Sequence, residues 1–239
     1  MYEKLRRLIL KLSYPFNVVM GMIHTPRKTF RVTSAEYQHF RQHVKPGMVL
    51  VSYIEGHMTN LFISGPVKHA AIVRDDEIIV EAVGRGVTID TLENFCTTKD
   101  LVVALKPADL NEAEMLEAAN YAFEIAKRPA SYRRYDYFFD SGDGAFYCAE
   151  LIVYAWNRVL ARLGRKPQFV NRKILGAVTT LPVDFLNATR KNKTDIVVAV
   201  GDVYRIAEYC PDFHAVRPSV LAPIGAPLTD SRSELGVSS

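Results

Sequence analysis

Cysteine is scarce in this chain. Cys96, Cys148 and Cys210 are the only three among 239 residues. An odd, scattered set builds no disulfide framework, and no pair has the Cys-x-x-Cys spacing of a zinc site. A reducing, cytosol-like compartment is expected. Long apolar runs are missing too: no stretch reaches the ~18 residues needed to span a bilayer as a helix. Charge of one sign is in short supply. The net charge of +4 is spread along the chain, which gives no reason to expect a nucleic-acid partner. No P-loop, His-Glu-x-x-His or calcium-loop spacing occurs, so neither a metal nor a nucleotide cofactor is expected. No internal repeat is present.

What remains is ordinary globular composition, 49% hydrophobic and 23% charged. This suits a domain with a sizeable core. At the N-terminus Lys4, Arg6 and Arg7 precede Leu8-Ile9-Leu10, but Lys11 and Pro15 interrupt the run and no cleavage-site pattern follows. The reading is a soluble, cytoplasmic protein. Leu5, Leu8, Ile9 and Leu12 keep helical spacing among basic residues. That helix either packs on its own domain or makes peripheral contact with a membrane surface.

Turn and cap signals set the expected elements. Thr33 with Glu36 reads as a capping box for a helix to about Val44, ended by Lys45-Pro46-Gly47. Met48 to Val51 is a short strand. His69–Val73 and Ile78–Val83, split by Arg74-Asp75-Asp76-Glu77, read as a hairpin. Strands near Val87–Ile89 and Leu101–Leu105 follow. Asn111 with Glu114 caps a helix that stops at Pro129. A further helix runs from about Phe146 to Leu163 and is closed by Gly164. Leu181–Asn187 reads as a short helix, and Ile196–Ile206 as two β-rich pieces around Gly201-Asp202. Strands gathered between helices give an α+β fold rather than alternating βαβ units. The expected organisation is a helical extension over 1–45, a catalytic domain over 46–218, and a Pro-, Gly- and Ser-rich tail over 219–239.

Cys148 opens the third of these helices, just after the loop-like Ser141-Gly142-Asp143-Gly144. A thiol in the first helical turn feels the positive end of the dipole, which favours the thiolate. Thiolate is the nucleophile of cysteine-based acyl chemistry. The same residue also begins an apolar stripe with Leu151, Ile152, Ala155 and Val159, where a cysteine commonly serves as small core filler. His69 opens an apolar strand, as a structural histidine or as the base for a thiol. Glu81 lies inside the next apolar run. It is either buried and partnered by a histidine on the adjacent strand or on the solvated face, and only the pairing register decides.

Four segments taken together resemble the NlpC-type papain-like cysteine peptidase superfamily, in the circularly permuted branch that includes YiiX-like proteins and is related to lecithin-retinol acyltransferase. They are Pro46-Gly47-Met48-Val49-Leu50, Lys68-His69-Ala70-Ala71-Ile72-Val73, Val80-Glu81-Ala82 and Tyr147-Cys148-Ala149-Glu150-Leu151-Ile152. The histidine strand precedes the cysteine, as in that branch. Met48 and Ala71 depart from the usual Asp and Gly. The resemblance implies a papain-like core whose antiparallel sheet packs on the helix carrying the nucleophile. It implies Cys148 as nucleophile, His69 as base and acid, and Glu81 as orienter. Tyr135, in Tyr135-Asp136-Tyr137-Phe138-Phe139, resembles the tyrosine whose hydroxyl lies near the thiol in related enzymes. The implied activity is hydrolysis of amide bonds, in cell-wall-type peptides, through a thioester acyl-enzyme. The alternatives are a lipid acyltransferase or thioesterase using the same residues, and a non-catalytic papain-like binding module.

Overall fold

The computed structural model describes residues 32–56, 63–75, 77–136, 145–166, 172–174 and 177–207. The N-terminal amphipathic segment, His57, Cys210 and the tail from 219 lie outside the described residues. In chain order the elements are α1 (Ser34–Arg41), β1 (Val49–Tyr53), β2 (His69–Val73), β3 (Ile78–Val83), β4 (Gly86–Thr91), α2 (Leu92–Thr97), β5 (Leu101–Pro107) and α3 (Glu112–Ala126). They continue with α4 (Cys148–Arg162), β6 (Arg172–Ile174), β7 (Ala177–Thr179), α5 (Pro182–Thr189), β8 (Thr194–Gly201) and the single turn α6 (Tyr204–Ala207). Among the described residues no helix is long and apolar enough to cross a membrane.

Six strands form one antiparallel sheet in the order β4-β3-β2-β1-β5-β8, and β6 and β7 pair as a separate ribbon. Central β1 is buried along its whole length because both faces are covered, so it reads as a continuous apolar run. Val49, Ala70, Ile72, Val80, Ala82 and Val103 point to one face and join α3 and α4 in the larger core. Leu50, Ala71, Val73, Ile79, Val102 and Ala104 point to the other and pack with α1 and α2. The fold is therefore α+β, with helices on both sides of the sheet.

Local chemistry explains the boundaries. Both expected capping boxes form, Thr33 with Glu36 and Asn111 with Glu114. The β2–β3 turn closes because Asp75 Oδ1 accepts from the backbone N–H groups of Glu77 and Ile78. Small residues on α3, Ala118, Ala119 and Ala122, are fully buried and let α4 come close. Gly47 joins three elements. Its φ is +80°, and a Cβ there would lie 2.2 Å from the Met115 carbonyl oxygen on α3. Its own carbonyl accepts from Trp156 Nε1 on α4 at 3.1 Å. No other residue fits that junction.

Two parts of the sequence expectation need correction. The second β-rich piece after Gly201 is not a strand. Gly201 takes φ +84°, and Val203 and Ile206, buried three residues apart, sit on a helical turn. Their β-branched character reflects burial rather than pairing. Helix α2 was not expected; its six residues carry only one i, i+3, i+4 stripe behind the Thr91 cap, short of the repeated period that marks a longer helix.

Candidate active site

The register settles the question left open for Glu81. Ala71 of β2 stands opposite Glu81 of β3. His69, two residues before Ala71, is therefore a diagonal neighbour of Glu81 on one face of the sheet. His69 Nε2 and Glu81 Oε2 are 2.6 Å apart, with the ring 24% exposed and the carboxyl side chain 9% exposed. The carboxylate in the apolar run is thus buried and partnered. Because Nε2 bonds to Glu81, Nδ1 is the ring nitrogen left for the thiol.

Cys148 is the first residue of α4 and is 4% exposed. Its stripe mates Leu151, Ile152, Ala155 and Val159 are all buried in the larger core. The helix start is fixed by the residue before the thiol. Tyr147 packs in the core, and its phenol accepts from the Thr180 N–H at 2.9 Å and bonds to the Thr179 hydroxyl. The Cys148 side chain hydrogen-bonds to the His69 ring. The two groups come from opposite faces: α4 packs against Ala70 and Ile72, while the His69 ring meets Phe95 of α2 at 6.0 Å between centroids. They meet at the first residue of β2.

Electrostatics follow from this contact. Burial by itself would lower the proton affinity of His69. Hydrogen bonds to Cys148 and Glu81, and the negative charge on both, outweigh it and push the imidazole from 6.5 up to about 9. Burial works to raise Glu81, but the bond to His69 and the charges of His69, Lys99 and Arg85 hold its carboxyl below the ordinary range. Cys96, fully buried on α2, offers the contrast: burial pushes its thiol up to about 12, against a small opposing effect of Lys99. A thiol of that kind is inert.

Tyr135 is brought to the approach of α4 by backbone pairing. It bridges Phe146, two residues ahead of the thiol, and its ring packs against the larger core. That segment is anchored at Gly86, where φ is +106° and a Cβ would lie 2.1 Å from the Arg133 carbonyl oxygen.

Sequence reasoning missed the polar groups surrounding the pair. Ser52 stands opposite His69 and Thr88 opposite Glu81. Both hydroxyl oxygens are buried without a hydrogen-bond partner among the described residues. Lys99 follows α2, with Nζ 4.9 Å from the Phe95 ring centroid. The available signal was Thr91 followed by Leu92, Phe95 and Cys96, a cap and an i, i+3, i+4 stripe, with Lys99 just past its end. Among the described residues no cluster of His, Cys, Asp and Glu could hold a metal ion.

No curated protein and no solved structure matches the chain. Over residues 43–193, more than half its length and the span that carries β1, the His69–Glu81 hairpin and the Cys148 helix, the chain matches the family described as permuted papain-like amidase enzyme, YaeF/YiiX, C92 family, and it belongs to that family.

Proposed function

We propose that this cysteine hydrolase cleaves amide bonds with Cys148 as nucleophile, His69 as base and acid, and Glu81 as the group that orients the ring. The observation that carries the reading is the His69 ring held between the Glu81 carboxylate, at 2.6 Å, and the Cys148 side chain. An imidazole with raised proton affinity takes the thiol proton and keeps it near neutral pH, leaving thiolate at the helix mouth. The thiolate sulfur attacks the carbonyl carbon, and the carbonyl π electrons move onto oxygen. Cys148 is the first residue of α4, so its N–H has no acceptor within the helix and is available at the helix mouth to receive that oxyanion. Tyr135 is the candidate second donor. The tetrahedral intermediate collapses, the C–N bond breaks, and the His69 proton goes to the departing amine. Water, deprotonated by His69, then attacks the thioester. The acid leaves and the thiol is restored.

Cell-wall-type peptides are the proposed substrate class. The lipid alternative rests on the resemblance to acyltransferases, on the amphipathic N-terminal segment, which lies outside the described residues, and on the basic balance of the chain. The test is turnover of an amide-linked peptide panel by the wild type and by Cys148→Ala. Expected is loss of all turnover in a variant with unchanged circular dichroism. Retained turnover contradicts the mechanism. A wild type that is acylated by phospholipid and inert to every peptide contradicts the substrate class.

A further inference from the structure

We propose that the hydroxyl of Thr88 is a second donor to the Glu81 carboxylate, which makes Thr88 a positioning residue for the Cys148–His69 couple. The inference rests on the roles given above to Cys148, His69 and Glu81.

The strand register puts the two side chains together. Four polar side chains form a row on one face of four neighbouring strands: Ser52 on β1, His69 on β2, Glu81 on β3 and Thr88 on β4. Ser52 is directly opposite His69, and Thr88 directly opposite Glu81. Directly opposed side chains on antiparallel strands have Cβ atoms about 4.5–5.5 Å apart. The middle of the row is joined by the 2.6 Å contact of His69 Nε2 with Glu81 Oε2. That contact occupies one carboxylate oxygen and leaves Oε1 with lone pairs for another donor.

Thr88 is 8% exposed, and its Oγ1 has no hydrogen bond among the described residues. Two other buried threonines show the ordinary outcome. Thr194 Oγ1 donates to the Phe185 carbonyl at 2.8 Å, and Thr179 Oγ1 bonds to the Tyr147 phenol. Threonine suits a strand for its shape, but valine has that shape without the cost of a buried hydroxyl. A turn about χ1 of Thr88 or one bridging water brings its O–H to the opposed carboxylate. Asp90, the next side chain along β4 on this face, instead accepts from Thr91 N–H and Asn94 Nδ2. Ser52, at the other end of the row, also has an unpartnered hydroxyl, but it stands opposite an imidazole already bonded to Glu81 and Cys148.

The groups facing Glu81 show what a hydroxyl adds. His69 meets it from β2, Arg85 from the β3–β4 turn and Lys99 from beyond α2. Arg85 is exposed, so water and salt screen it. Charges act on the carboxylate as a whole, whereas a donor on Oε1 fixes which oxygen faces the ring. His69 is a cation only while it holds the extra proton. Each time the ring gives that proton to the leaving amine, Glu81 faces a neutral imidazole, and the second donor keeps the carboxylate in place to orient it.

The experiment is the rate of Cys148 alkylation by iodoacetamide against pH, read on the Cys148 peptide by mass spectrometry, on the full chain, with urea unfolding of the same proteins. The variants are Thr88→Val, which replaces the hydroxyl by a methyl group, and Thr88→Ser, which keeps it. Losing the donor makes Glu81 a poorer partner for the imidazolium, so the imidazolium–thiolate pair is less favoured at acid pH. For Thr88→Val the rate at about pH 6 is expected to fall roughly three- to tenfold, less than the full worth of a hydrogen bond to a charged group because the effect reaches the sulfur through the ring. Thr88→Ser keeps the wild-type profile. Thr88→Val is also expected to unfold at lower urea than wild type. A Thr88→Val profile that superimposes on wild type, or an equal fall in Thr88→Ser, overturns the proposal. So does a valine variant more stable than wild type, which is what relief of an unpartnered hydroxyl would give. If valine unfolds the chain, Thr88→Ala compared with Thr88→Ser carries the same test. A wild-type Cys148 that reacts like an ordinary thiol sinks the function itself. A reactive wild type indifferent to Thr88 sinks only this inference.

Discussion

On one face of the sheet, α3 and α4 bury Met115, Ile125, Leu151 and Trp156 against Val49, Ile72 and Val103. On the other, α1 and α2 cover Leu50, Val73 and Ile79, but Ser52, His69, Glu81 and Thr88 share that face near the start of β2. The first face is a packing surface that holds a helix mouth in place. The second carries the titrating hardware. The same division separates the two buried thiols. Cys96, inside the second layer, has its thiol pushed up to about 12 by burial. Cys148, at the end of a helix and against an imidazole, has a proton acceptor. Burial alone does not silence a thiol; what matters is which groups share its site.

Glu81→Gln should break the second face most severely. The amide keeps the shape but favours the wrong ring tautomer, and turnover should fall by roughly 10²- to 10⁴-fold, as read by kcat/KM on a substrate found with the peptide panel. The same substitution has a stability signature. His69 is raised in the folded state, so its contribution is fully present below 6.5 and is lost as pH rises through about 9. Urea unfolding of Glu81→Gln should therefore show a weaker loss of stability across that window. A pH dependence identical to wild type would mean that the pair is not coupled to folding.

Trp156→Ala tests the packing face. Trp156 is fully buried, stacks edge-on against Phe185 with centroids 5.6 Å apart, and donates to Gly47. Its truncation should cost about 3–5 kcal/mol, measured by urea unfolding. At urea-free conditions, where the variant stays folded, the pH limits of Cys148 alkylation should be unchanged. A cost below ~1 kcal/mol would mean that α4 is held by something other than this core.

Much of this division was legible from residues. Thr33, Asn111 and the Asp75 turn announce their elements because caps and turns are local chemistry. Cys148 and His69 stood out because each opens an apolar run, and Glu81 because it lies inside one. The face on which Glu81 lies was not legible, since strand register is a non-local property. Lys99 was hidden for a related reason. Its ammonium lies over the Phe95 ring just past α2, and nothing in the order Thr97-Thr98-Lys99-Asp100 announces that neighbour. The ribbon of β6 and β7, three residues per strand, is too short for alternation to register.

The most direct test of the central claim is the pH dependence of Cys148 alkylation in the wild type and in His69→Ala. The account predicts a wild-type thiolate that reacts well below pH 8, and a variant whose thiol titrates near the ordinary value of about 8.5. Identical profiles for the two proteins would contradict it.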